Sequence, residues 1–355
     1  VTGVQTCALP IYELLPKILK TGNLHLSAQI ADIGKSESLI VTIGTPVDEF
    51  LNPTVRLMTE CFQQMRPYMS NEQLVVLRST VYPGVTDWVV RYFQDQDLHC
   101  DVAFCPERIV QGFALEELKS LPQIVSGFTA RAEQRAAKLF STIAPEIVRV
   151  KTSEAELTKL FSNAFRYIQF AVTNQFYMIC EDAGIDYNRV MEAMKFNYPR
   201  MRDVPKPGFA AGPCLFKDTM QLSAFYQNQF TFGMDAVQVN EGLPLFLVKR
   251  LQNEHNLREK TVGLLGMAFK AESDDRRSSL SYKLKKVLST QAKKVLTTDP
   301  YVNDDASLLP IDEVVQKSDI LIVCTPHKVY KNLSFGDKVV VDVWNFYPGL
   351  KDQQA

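Results

Sequence analysis

Short apolar runs alternate with amphipathic stretches in the first 150 residues of the chain. Ser38–Ile43, Leu74–Arg78 and Asp101–Phe104 are rich in β-forming residues, and each of them ends in a turn signal. Between these runs, Thr54–Tyr68 and Val85–Gln94 place apolar residues at the spacing of a helix face. Strands that alternate with helices in this way predict a doubly wound parallel sheet.

The three predicted strands lead into turns that carry functional side chains. The turns are Gly44-Thr45-Pro46, Ser79-Thr80-Val81 and Cys105-Pro106-Glu107. Ligands of parallel sheets bind at the carboxyl ends of the strands. We therefore expect these turns to lie along one rim and to face a ligand.

Long helices replace the alternation near residue 151. An apolar stripe with spacings of three and four begins at Ser153 and continues until Gly184 supplies a stop. A loop rich in proline and glycine, PKPGFAAGPC, interrupts the helices, and the pattern predicts one further helix over Asp218–Arg250. We expect a helical middle domain over residues 151–257.

The final third returns to strands and helices in alternation. The pattern predicts strands over Val262–Leu265, Lys294–Thr298, Ile320–Cys324 and Val339–Val343, and helices over Ser279–Leu288 and Ile311–Gln316. These elements predict a second Rossmann-like domain over residues 258–355. The expected fold class is α/β, with two Rossmann-like doubly wound parallel-sheet domains joined by a helical middle domain that has a long central helix.

Composition narrows the class of protein. The 355 residues include 46% hydrophobic and 22% charged residues, with 39 Lys and Arg against 40 Asp and Glu. These values disfavour a disordered chain and a nucleic-acid-binding surface. Seven cysteines without CxxC spacing argue against a disulfide framework and a zinc site, so we expect no metal and a cytoplasmic location.

The first residues do not follow the pattern of the rest. Val1–Ile11 lacks the basic and apolar regions of a secretory signal, and it joins a segment that already has a helical pattern. We interpret residues 1–11 as a non-native leader. Residues 12–150 are then the remainder of the first Rossmann-like domain.

Cys214 is the strongest candidate for chemistry. It lies in GPCLFKD, on a glycine-containing loop directly before a predicted helix. The positive end of the helix dipole and the nearby Lys217 are expected to lower the pKa of its thiol. Asp218, four residues on, is placed to hold or activate a water. Taken alone, Cys214 also fits a buried structural cysteine.

Two further groups of polar residues have a chemical and an ordinary interpretation. Lys159 and Asn163 are spaced i, i+4 on one helix face, either to point into a cleft together or to be solvated. Lys270, Arg276 and Arg277 follow a strand in GMAFKAESDDRRSS, either as a phosphate clamp or as a surface charge cluster. Neither group decides a function alone.

Several well-known motifs are missing from the sequence. It contains no GxGxxG after an N-terminal strand, so the usual dinucleotide-binding turn is absent. It also lacks a Walker A sequence, HExxH and GxSxG, which disfavours phosphoryl transfer and common hydrolase chemistry.

Six motifs in one order resemble the UDP-glucose/GDP-mannose dehydrogenase family of nucleotide-sugar 6-dehydrogenases. They are IGTP, STVYPG, CPERIVQG, ELTKLFSNAFRY, GPCLFKD and GMAFKAESDDRRS, and the resemblance covers about Tyr12 to Phe346. It implies oxidation of the C6 alcohol of a UDP-sugar to a uronic acid in two NAD-dependent hydride transfers. It also implies a homodimer built around the Ser153–Cys180 helix, with polysaccharide biosynthesis as the setting.

The resemblance assigns roles to individual residues. Cys214 would capture the aldehyde as a thiohemiacetal that is oxidised to a thioester. Lys159 and Asn163 would stabilise the developing oxyanion, and Asp218 with Thr80 would position and activate the water. The residues implied for catalysis are Cys214, Lys159, Asn163, Asp218, Glu107 and Thr80.

The resemblance also implies two sets of binding residues. Those for NAD are Thr45, Thr80, Lys217 and Arg277. Those for the substrate are Glu107, Arg108, Lys159, Asn163, Arg200 and Lys270. Arg202 is an equal candidate for the place given to Arg200.

Departures from the family pattern bear on the substrate and on completeness. Gln111 and CPER with Arg108 favour a UDP-N-acetylhexosamine, of the UDP-N-acetylmannosamine type, with UDP-glucose as the alternative. FAAGPC replaces the commoner glycine-rich loop before the cysteine. The family's first βαβ unit is not recognised, so we expect an N-terminally truncated chain with reduced affinity for NAD.

Two other functions remain open at this point. A single-step β-hydroxyacid dehydrogenase shares the layout and the Lys–Asn pair but has no need for Cys214. A catalytically silent nucleotide-sugar binder would bind UDP-sugars without producing NADH.

Overall fold

A computed structural model describes residues 9–45, 47–48, 54–110, 113–210 and 212–348. The chain divides into two compact units. The N-terminal unit comprises Ala8–Ala164 with Lys217–Phe230, and the C-terminal unit includes Phe165–Phe216 with Thr231–Ala355. Two helices therefore continue from one unit into the other.

The described strands and helices follow the predicted alternation. The strands are β1 (Ser38–Val41), β2 (Leu74–Leu77), β3 (Asp101–Phe104), β4 (Gln123–Gly127), β5 (Ile147–Arg149), β6 (Thr261–Leu265), β7 (Lys294–Thr298), β8 (Ile320–Val323) and β9 (Val339–Val341). The helices are α1 (Leu9–Leu19), α2 (Arg56–Met65), α3 (Val85–Gln94), α4 (Ala114–Ser120), α5 (Ala130–Phe140), α6 (Thr152–Asp182), α7 (Tyr187–Lys195), α8 (Pro213–Phe225), α9 (Thr231–Glu254), α10 (Leu280–Leu288) and α11 (Ile311–Lys317).

The N-terminal sheet has the order β1-β2-β3-β4-β5. Its first three strands are parallel, as predicted, but β4 runs antiparallel to β3. The sheet is therefore mixed, and the expectation of a wholly parallel sheet is wrong at this pair. Every residue of β2 is buried, with Phe62 and Phe93 packed on one face and Phe140 on the other.

Strand β4 was not predicted from the sequence because two of its residues are polar. Gln123 and Ser126 are buried in this strand, which interrupts the apolar run that would predict it. The Ser126 hydroxyl donates to the Phe104 carbonyl at 2.8 Å, and the Gln123 amide donates to the Ile124 carbonyl at 2.7 Å. These bonds remove the cost of burying the polar groups.

The predicted single helix over Asp218–Arg250 is wrong. Helix α8 begins earlier, at Pro213, and ends at Phe225 before α9 begins at Thr231. Gln227 and Asn228 lie between them with φ angles of 52° and 59°, in the left-handed region. A helix cannot continue through two such residues, and asparagine tolerates this region better than most.

The C-terminal sheet has the order β7-β6-β8-β9, and all its pairs are parallel. The predicted strands of the final third are confirmed, with ends that differ by one or two residues. Gly263 in β6 is required by packing, since a Cβ there would lie 2.4 Å from the Ser318 hydroxyl. The helix pair α9 and α10 packs on this sheet through Leu247, Leu251 and Leu284.

None of the helices in the described ranges is long and apolar enough to cross a membrane. Likewise, none of the six cysteines in those ranges forms a disulfide.

Candidate functional site

The turns after β1 and β2 are bonded to each other and to α8. The Thr45 hydroxyl donates to the Thr80 carbonyl at 2.5 Å. Lys217 Nζ donates to the Thr45 hydroxyl at 3.2 Å, and the Gln221 amide donates to the Thr45 carbonyl at the same distance. The structure thus brings three of the residues that the resemblance assigns to NAD together at the carboxyl end of the sheet.

A second group links α6 to α8 within the N-terminal unit. Lys159 Nζ donates to Asn163 Oδ1 at 3.4 Å, and Asn163 Nδ2 donates to Asp218 Oδ2 at 2.5 Å. The ammonium of Lys217 lies 2.7 Å from Asp218 Oδ1. The Asp218 side chain is fully buried, so these contacts supply the compensation that a buried carboxylate requires.

The arrangement has clear chemical uses. An ammonium and an amide on one helix face can stabilise an oxyanion, and a carboxylate held beside them can accept a proton from water. Lys217 connects this group to the rim, because the same ammonium reaches Asp218 and Thr45. The i, i+4 spacing predicted the Lys159–Asn163 contact, whereas nothing in the spacing predicted the bond to Asp218.

Glu107 is held more tightly than the sequence predicted. One oxygen pairs with the guanidinium of the buried Arg78, and the other accepts the backbone N–H groups of Arg108 and Ile109 at 2.8 and 3.0 Å. Arg78 also donates to the Cys105 carbonyl at 3.0 Å. The carboxylate therefore anchors the turn after β3, and its proposed contact with substrate stays a prediction.

Arg78 and Glu156 were missed by the sequence analysis. Arg78 ends an apolar strand run, which is a weak signal for a buried cation. Glu156 on α6 is buried and accepts from the Gly84 and Thr86 N–H groups at 2.7 and 2.9 Å and from the Thr86 hydroxyl at 2.6 Å. It caps α3 and ties α6 to the segment that follows Thr80.

Cys214 lies in the first turn of α8, and its side chain is exposed. The first turn holds no acidic residue, so the positive end of the helix dipole acts on the thiol without a nearby compensating carboxylate in that turn. Asp218 follows four residues later on the same helix. An exposed thiol contradicts the alternative of a buried structural cysteine.

The loop before Cys214 is fixed within the C-terminal unit. Asn174 donates to the Gly208 carbonyl at 3.0 Å and accepts from the Gly208 N–H at 2.8 Å. Gly212 has a φ of 102°, and a Cβ there would lie 2.7 Å from the Phe269 ring. Gly212 is therefore required at this position. This explains why FAAGPC has a glycine here although it has fewer glycines than the family's usual loop.

The basic loop over residues 266–278 follows β6 in the C-terminal unit. The Arg277 guanidinium pairs with Asp275 through two bonds of 3.0 and 2.7 Å, and Arg276 reaches Asp304 at 2.9 Å. Lys270 is half-buried in the same loop. Both arginines are thus held by carboxylates, and both side chains are exposed.

The remaining candidates are placed more simply. Arg200 is exposed, with its guanidinium 5.5 Å from the centre of the Tyr198 ring, and Arg202 is exposed as well. The Arg108 guanidinium donates to the Pro122 carbonyl. Gln111, Pro46 and the first eight residues of the predicted leader lie outside the described residues.

Family models match nearly the whole chain. The NAD-binding domain of the UDP-glucose/GDP-mannose dehydrogenase family matches residues 2–144, its central domain matches residues 153–242, and its UDP-binding domain matches residues 263–349. The chain belongs to the UDP-glucose/GDP-mannose dehydrogenase family. The predicted N-terminal truncation is not borne out, because the match to the NAD-binding domain begins at residue 2.

Named relatives agree with this membership. A UDP-N-acetyl-D-mannosamine dehydrogenase from Pyrococcus horikoshii is 26% identical, over 92% of this chain and 82% of that protein. An NDP-N-acetyl-D-galactosaminuronic acid dehydrogenase from Ralstonia solanacearum is 24% identical, over 86% of this chain and 78% of that protein. The class of the protein is therefore a nucleotide-sugar dehydrogenase.

Solved structures agree on the fold. A UDP-D-ManNAc dehydrogenase from Pyrococcus horikoshii has a TM-score of 0.86 at 25% identity, with 98% of this chain and 85% of that chain covered. A UDP-glucose dehydrogenase from Pyrobaculum islandicum has a TM-score of 0.89 at 24% identity and the same coverage. At that identity the second likeness supports the Rossmann-type fold alone.

The cofactor of the family is NAD. The rim of the N-terminal sheet carries polar groups that suit such a ligand. The Thr45 hydroxyl lies there, hydrogen-bonded to the Thr80 carbonyl, and Lys217 supplies a cation. Gln221 Oε1 is buried beside Thr45 and has no hydrogen-bond partner within the described ranges. An acceptor of this kind suits a ligand that donates amide N–H groups.

Proposed function

We propose that the protein oxidises the C6 alcohol of a UDP-sugar to a uronic acid in two NAD-dependent steps, with UDP-N-acetylmannosamine as the substrate type. The observation that carries the proposal is the hydrogen-bonded set of Lys159, Asn163 and Asp218, with Asp218 on the helix whose first turn carries the exposed Cys214. The names of the relatives and the CPER sequence support the N-acetylated sugar.

The first step removes a proton from the C6 hydroxyl and a hydride from C6. NAD, when bound, supplies the chemistry of a hydride acceptor. Asp218 holds the water that takes the hydroxyl proton, and Thr80 at the rim helps to position that water. Lys159 and Asn163 direct an ammonium and an amide at the oxygen as negative charge develops on it.

The second step needs a covalent bond to the protein. Cys214 Sγ, as the thiolate, adds to the C6 aldehyde carbon to form a thiohemiacetal. Loss of a second hydride from C6 leaves a thioester. Water held by Asp218 then attacks the carbonyl carbon, the C–S bond breaks, and the thiolate and the uronic acid are released. The aldehyde never leaves the protein.

The binding residues keep the roles that the resemblance implied. Thr45, Thr80 and Lys217 would hold the nicotinamide end of NAD, and Arg277 would lie on the same side of the site. Lys270, Arg108 and Glu107 would bind the nucleotide-sugar, and Arg200 would reach the site of a second subunit. The UDP-binding match over residues 263–349 supports the placement of the nucleotide on the C-terminal domain.

NADH formation tests the reaction and the sugar together. The protein is incubated separately with UDP-N-acetylmannosamine, UDP-N-acetylglucosamine and UDP-glucose, and the NADH formed per sugar is measured at completion. Two NADH per UDP-N-acetylmannosamine is the expected result. Two NADH from UDP-glucose alone would overturn the substrate assignment, and UDP-sugar binding without any NADH would indicate a silent binder.

Variants of Cys214 separate this mechanism from a single-step dehydrogenase. Cys214→Ser and Cys214→Ala are expected to lose the second oxidation, since neither forms a thioester. Cys324→Ser is a matched control, because Cys324 is buried in the C-terminal sheet. Full retention of two NADH per sugar by Cys214→Ala would contradict the covalent mechanism.

We also propose that two subunits pair through α6. Five large apolar side chains are exposed along one stripe of this helix: Phe161, Phe165, Val172, Phe176 and Ile179. An apolar stripe of this length on a soluble protein is typical of an interface. Light scattering during size-exclusion chromatography is expected to give the mass of a dimer, and Phe165→Asp with Ile179→Asp is expected to give a monomer. Leu26→Asp, on another exposed apolar residue, is the control.

The domain arrangement is part of the same proposal. Residues 12–150 bind NAD, residues 151–257 form the helical central domain, and residues 258–355 bind the UDP part of the substrate. The family matches, over residues 2–144, 153–242 and 263–349, support these boundaries to within about fifteen residues.

A further inference from the structure

His327 is a buried histidine that the proposed reaction does not use. Its side chain is fully buried in the C-terminal unit, in the turn that follows β8. Nε2 lies 3.1 Å from Asp299 Oδ2, and Nδ1 accepts the backbone N–H of Glu272 at 3.0 Å. Because a backbone N–H only donates, Nδ1 carries no proton, so the ring is neutral and donates from Nε2.

Asp299 joins the histidine to the beginning of the basic loop. Asp299 Oδ2 also accepts the N–H groups of Met267 and Ala268, at 2.6 and 2.9 Å. The Thr325 hydroxyl donates to the Ala268 carbonyl at 2.6 Å. The first residues after β6 are thus tied to the turns after β7 and β8.

The middle of the loop is tied to the same place. Glu272 has a φ of 57°, which is a strained backbone conformation for this residue type. Its N–H bonds to His327, and its carboxylate accepts the Lys328 N–H at 2.7 Å and the Tyr301 hydroxyl at 3.0 Å. Lys270 lies between the two fixed points, two residues from Ala268 and two from Glu272.

We propose that His327 is a positioning residue for substrate binding. It fixes the backbone of the loop so that Lys270 presents its charge to the phosphates of the nucleotide-sugar. The inference rests on the proposed function, in which this loop binds the UDP part. His327 does not touch the substrate; it acts through the backbone of Glu272 and through Asp299.

Three substitutions at one position test this role. His327→Asn keeps an oxygen near the place of Nδ1 and so retains an acceptor for the Glu272 N–H. His327→Gln keeps an amide near the place of Nε2 and so retains a donor to Asp299, and His327→Phe retains neither. Tyr330→Phe is the matched control, since this buried neighbour makes only a long bond of 3.4 Å through its hydroxyl.

We expect the variants to change KM for the UDP-sugar but not KM for NAD or kcat. His327→Phe and His327→Gln are expected to raise KM for the UDP-sugar about tenfold, the factor that one hydrogen bond of ordinary strength contributes. KM for NAD and kcat should stay within about twofold, and His327→Asn should restore the KM of the wild type. An equal KM in all three variants would overturn the inference.

Amide hydrogen exchange gives a readout that does not depend on activity. Exchange over residues 266–278 is expected to be faster in His327→Phe and His327→Gln than in the wild type and in His327→Asn. If His327→Phe does not fold, the Asn and Gln variants alone decide the outcome. Unchanged exchange in His327→Gln would contradict the role.

Calorimetry with UDP tests the positioning role of His327 separately from the proposed function. If the wild type binds UDP and the His327 variants bind it equally well, the positioning role is wrong and the proposed function stands. If the wild type neither binds UDP nor forms NADH, the proposed function is overturned, and the positioning role with it.

Discussion

The two units each bury a carboxylate against backbone N–H groups, and the two carboxylates differ in how fully they are bonded. In the N-terminal unit, Glu156 accepts three hydrogen bonds from Gly84 and Thr86. In the C-terminal unit, Asp299 accepts five: His327 and four backbone N–H groups donate to it. Those N–H groups belong to Met267, Ala268, Tyr301 and Val302.

The pKa values of Glu156 and Asp299 are shifted in opposite directions. Burial raises the pKa of Glu156, and the three hydrogen bonds do not offset it. Burial also acts to raise the pKa of Asp299, but the hydrogen bond from His327, together with the backbone bonds, holds that pKa below its ordinary value. Burial and hydrogen bonding thus act in opposite directions on both carboxylates, and the balance differs between them.

The different pKa shifts of Asp299 and Glu156 correspond to different roles in the two units. The loop over residues 266–278 is expected to bind a charged nucleotide, and it is held by a carboxylate whose pKa lies below its ordinary value. Glu156 holds α6, the helix of Lys159 and Asn163, to the cap of α3. Its contribution depends on pH in the opposite sense.

Removal of Asp299 is expected to have the largest effect. Asp299→Ala leaves five donors without their acceptor, and we expect the free energy of unfolding of the C-terminal unit to fall by about 3–5 kcal/mol. The chain has two tryptophans, so a Trp88→Phe background leaves Trp344 to report on this unit during urea unfolding. A loss below about 1 kcal/mol would show that the five bonds do not act together.

Removal of Glu156 is expected to cost less. Glu156→Ala leaves three donors without their acceptor, against five for Asp299→Ala. We expect a loss of about 1–3 kcal/mol in the N-terminal unit, read from Trp88 in a Trp344→Phe background. A loss larger than that of Asp299→Ala would reverse the comparison between the two carboxylates.

The pH dependence of the two sites should have opposite signs. A folded-state pKa of Glu156 above 4.5 means that its contribution falls as the pH rises above 4.5 through that pKa. A folded-state pKa of Asp299 below 3.8 means that its contribution is present above 3.8 and is lost as the pH falls through the folded-state value. The measurement is the free energy of unfolding from pH 3 to pH 7, for the wild type against Glu156→Gln and against Asp299→Asn. If the differences in unfolding free energy between the wild type and the two variants changed with pH in the same direction, the opposite signs assigned to the two sites would be contradicted.

The smallest effect is expected at the outer edge of the C-terminal network. Tyr301→Phe removes one hydrogen bond of 3.0 Å to Glu272, at a partly exposed position. We expect a loss of about 0.5–1 kcal/mol in unfolding free energy and no change in KM for the UDP-sugar. A tenfold rise in KM would place Tyr301 beside His327 as a residue that fixes the loop.

The sequence could predict those strands whose side chains are apolar on both faces. LVVL in β2 and ILIV in β8 are wholly buried, and both were predicted within one residue. QIVSG in β4 was missed because Gln123 and Ser126 are polar residues that are buried through hydrogen bonds to backbone carbonyls. The break after α8 was missed as well, since no proline or glycine marks residues 226–230.

The candidate site also contains contacts that the sequence predicted and contacts that it did not. Spacing within one helix predicted the contact of Lys159 with Asn163, because i, i+4 residues are neighbours on a helix. The partner of His327 through Nδ1 lies 55 residues away, and the partner of Glu156 lies 70 residues away at Thr86. Periodicity carries no signal for such pairs, and the resemblance to the family assigned no role to either residue.

The N-terminal unit is assembled from two separate stretches of the gene. Lys217–Phe230 contributes Asp218 to Asn163, Gln221 to the Thr45 carbonyl and Phe225 to the Tyr82 ring, at 5.8 Å between centres. A fragment that stops at residue 164 lacks all three contacts. Recombination cannot therefore transfer this unit as a single cassette, and a chimera with another dehydrogenase needs its crossovers at both ends of α8.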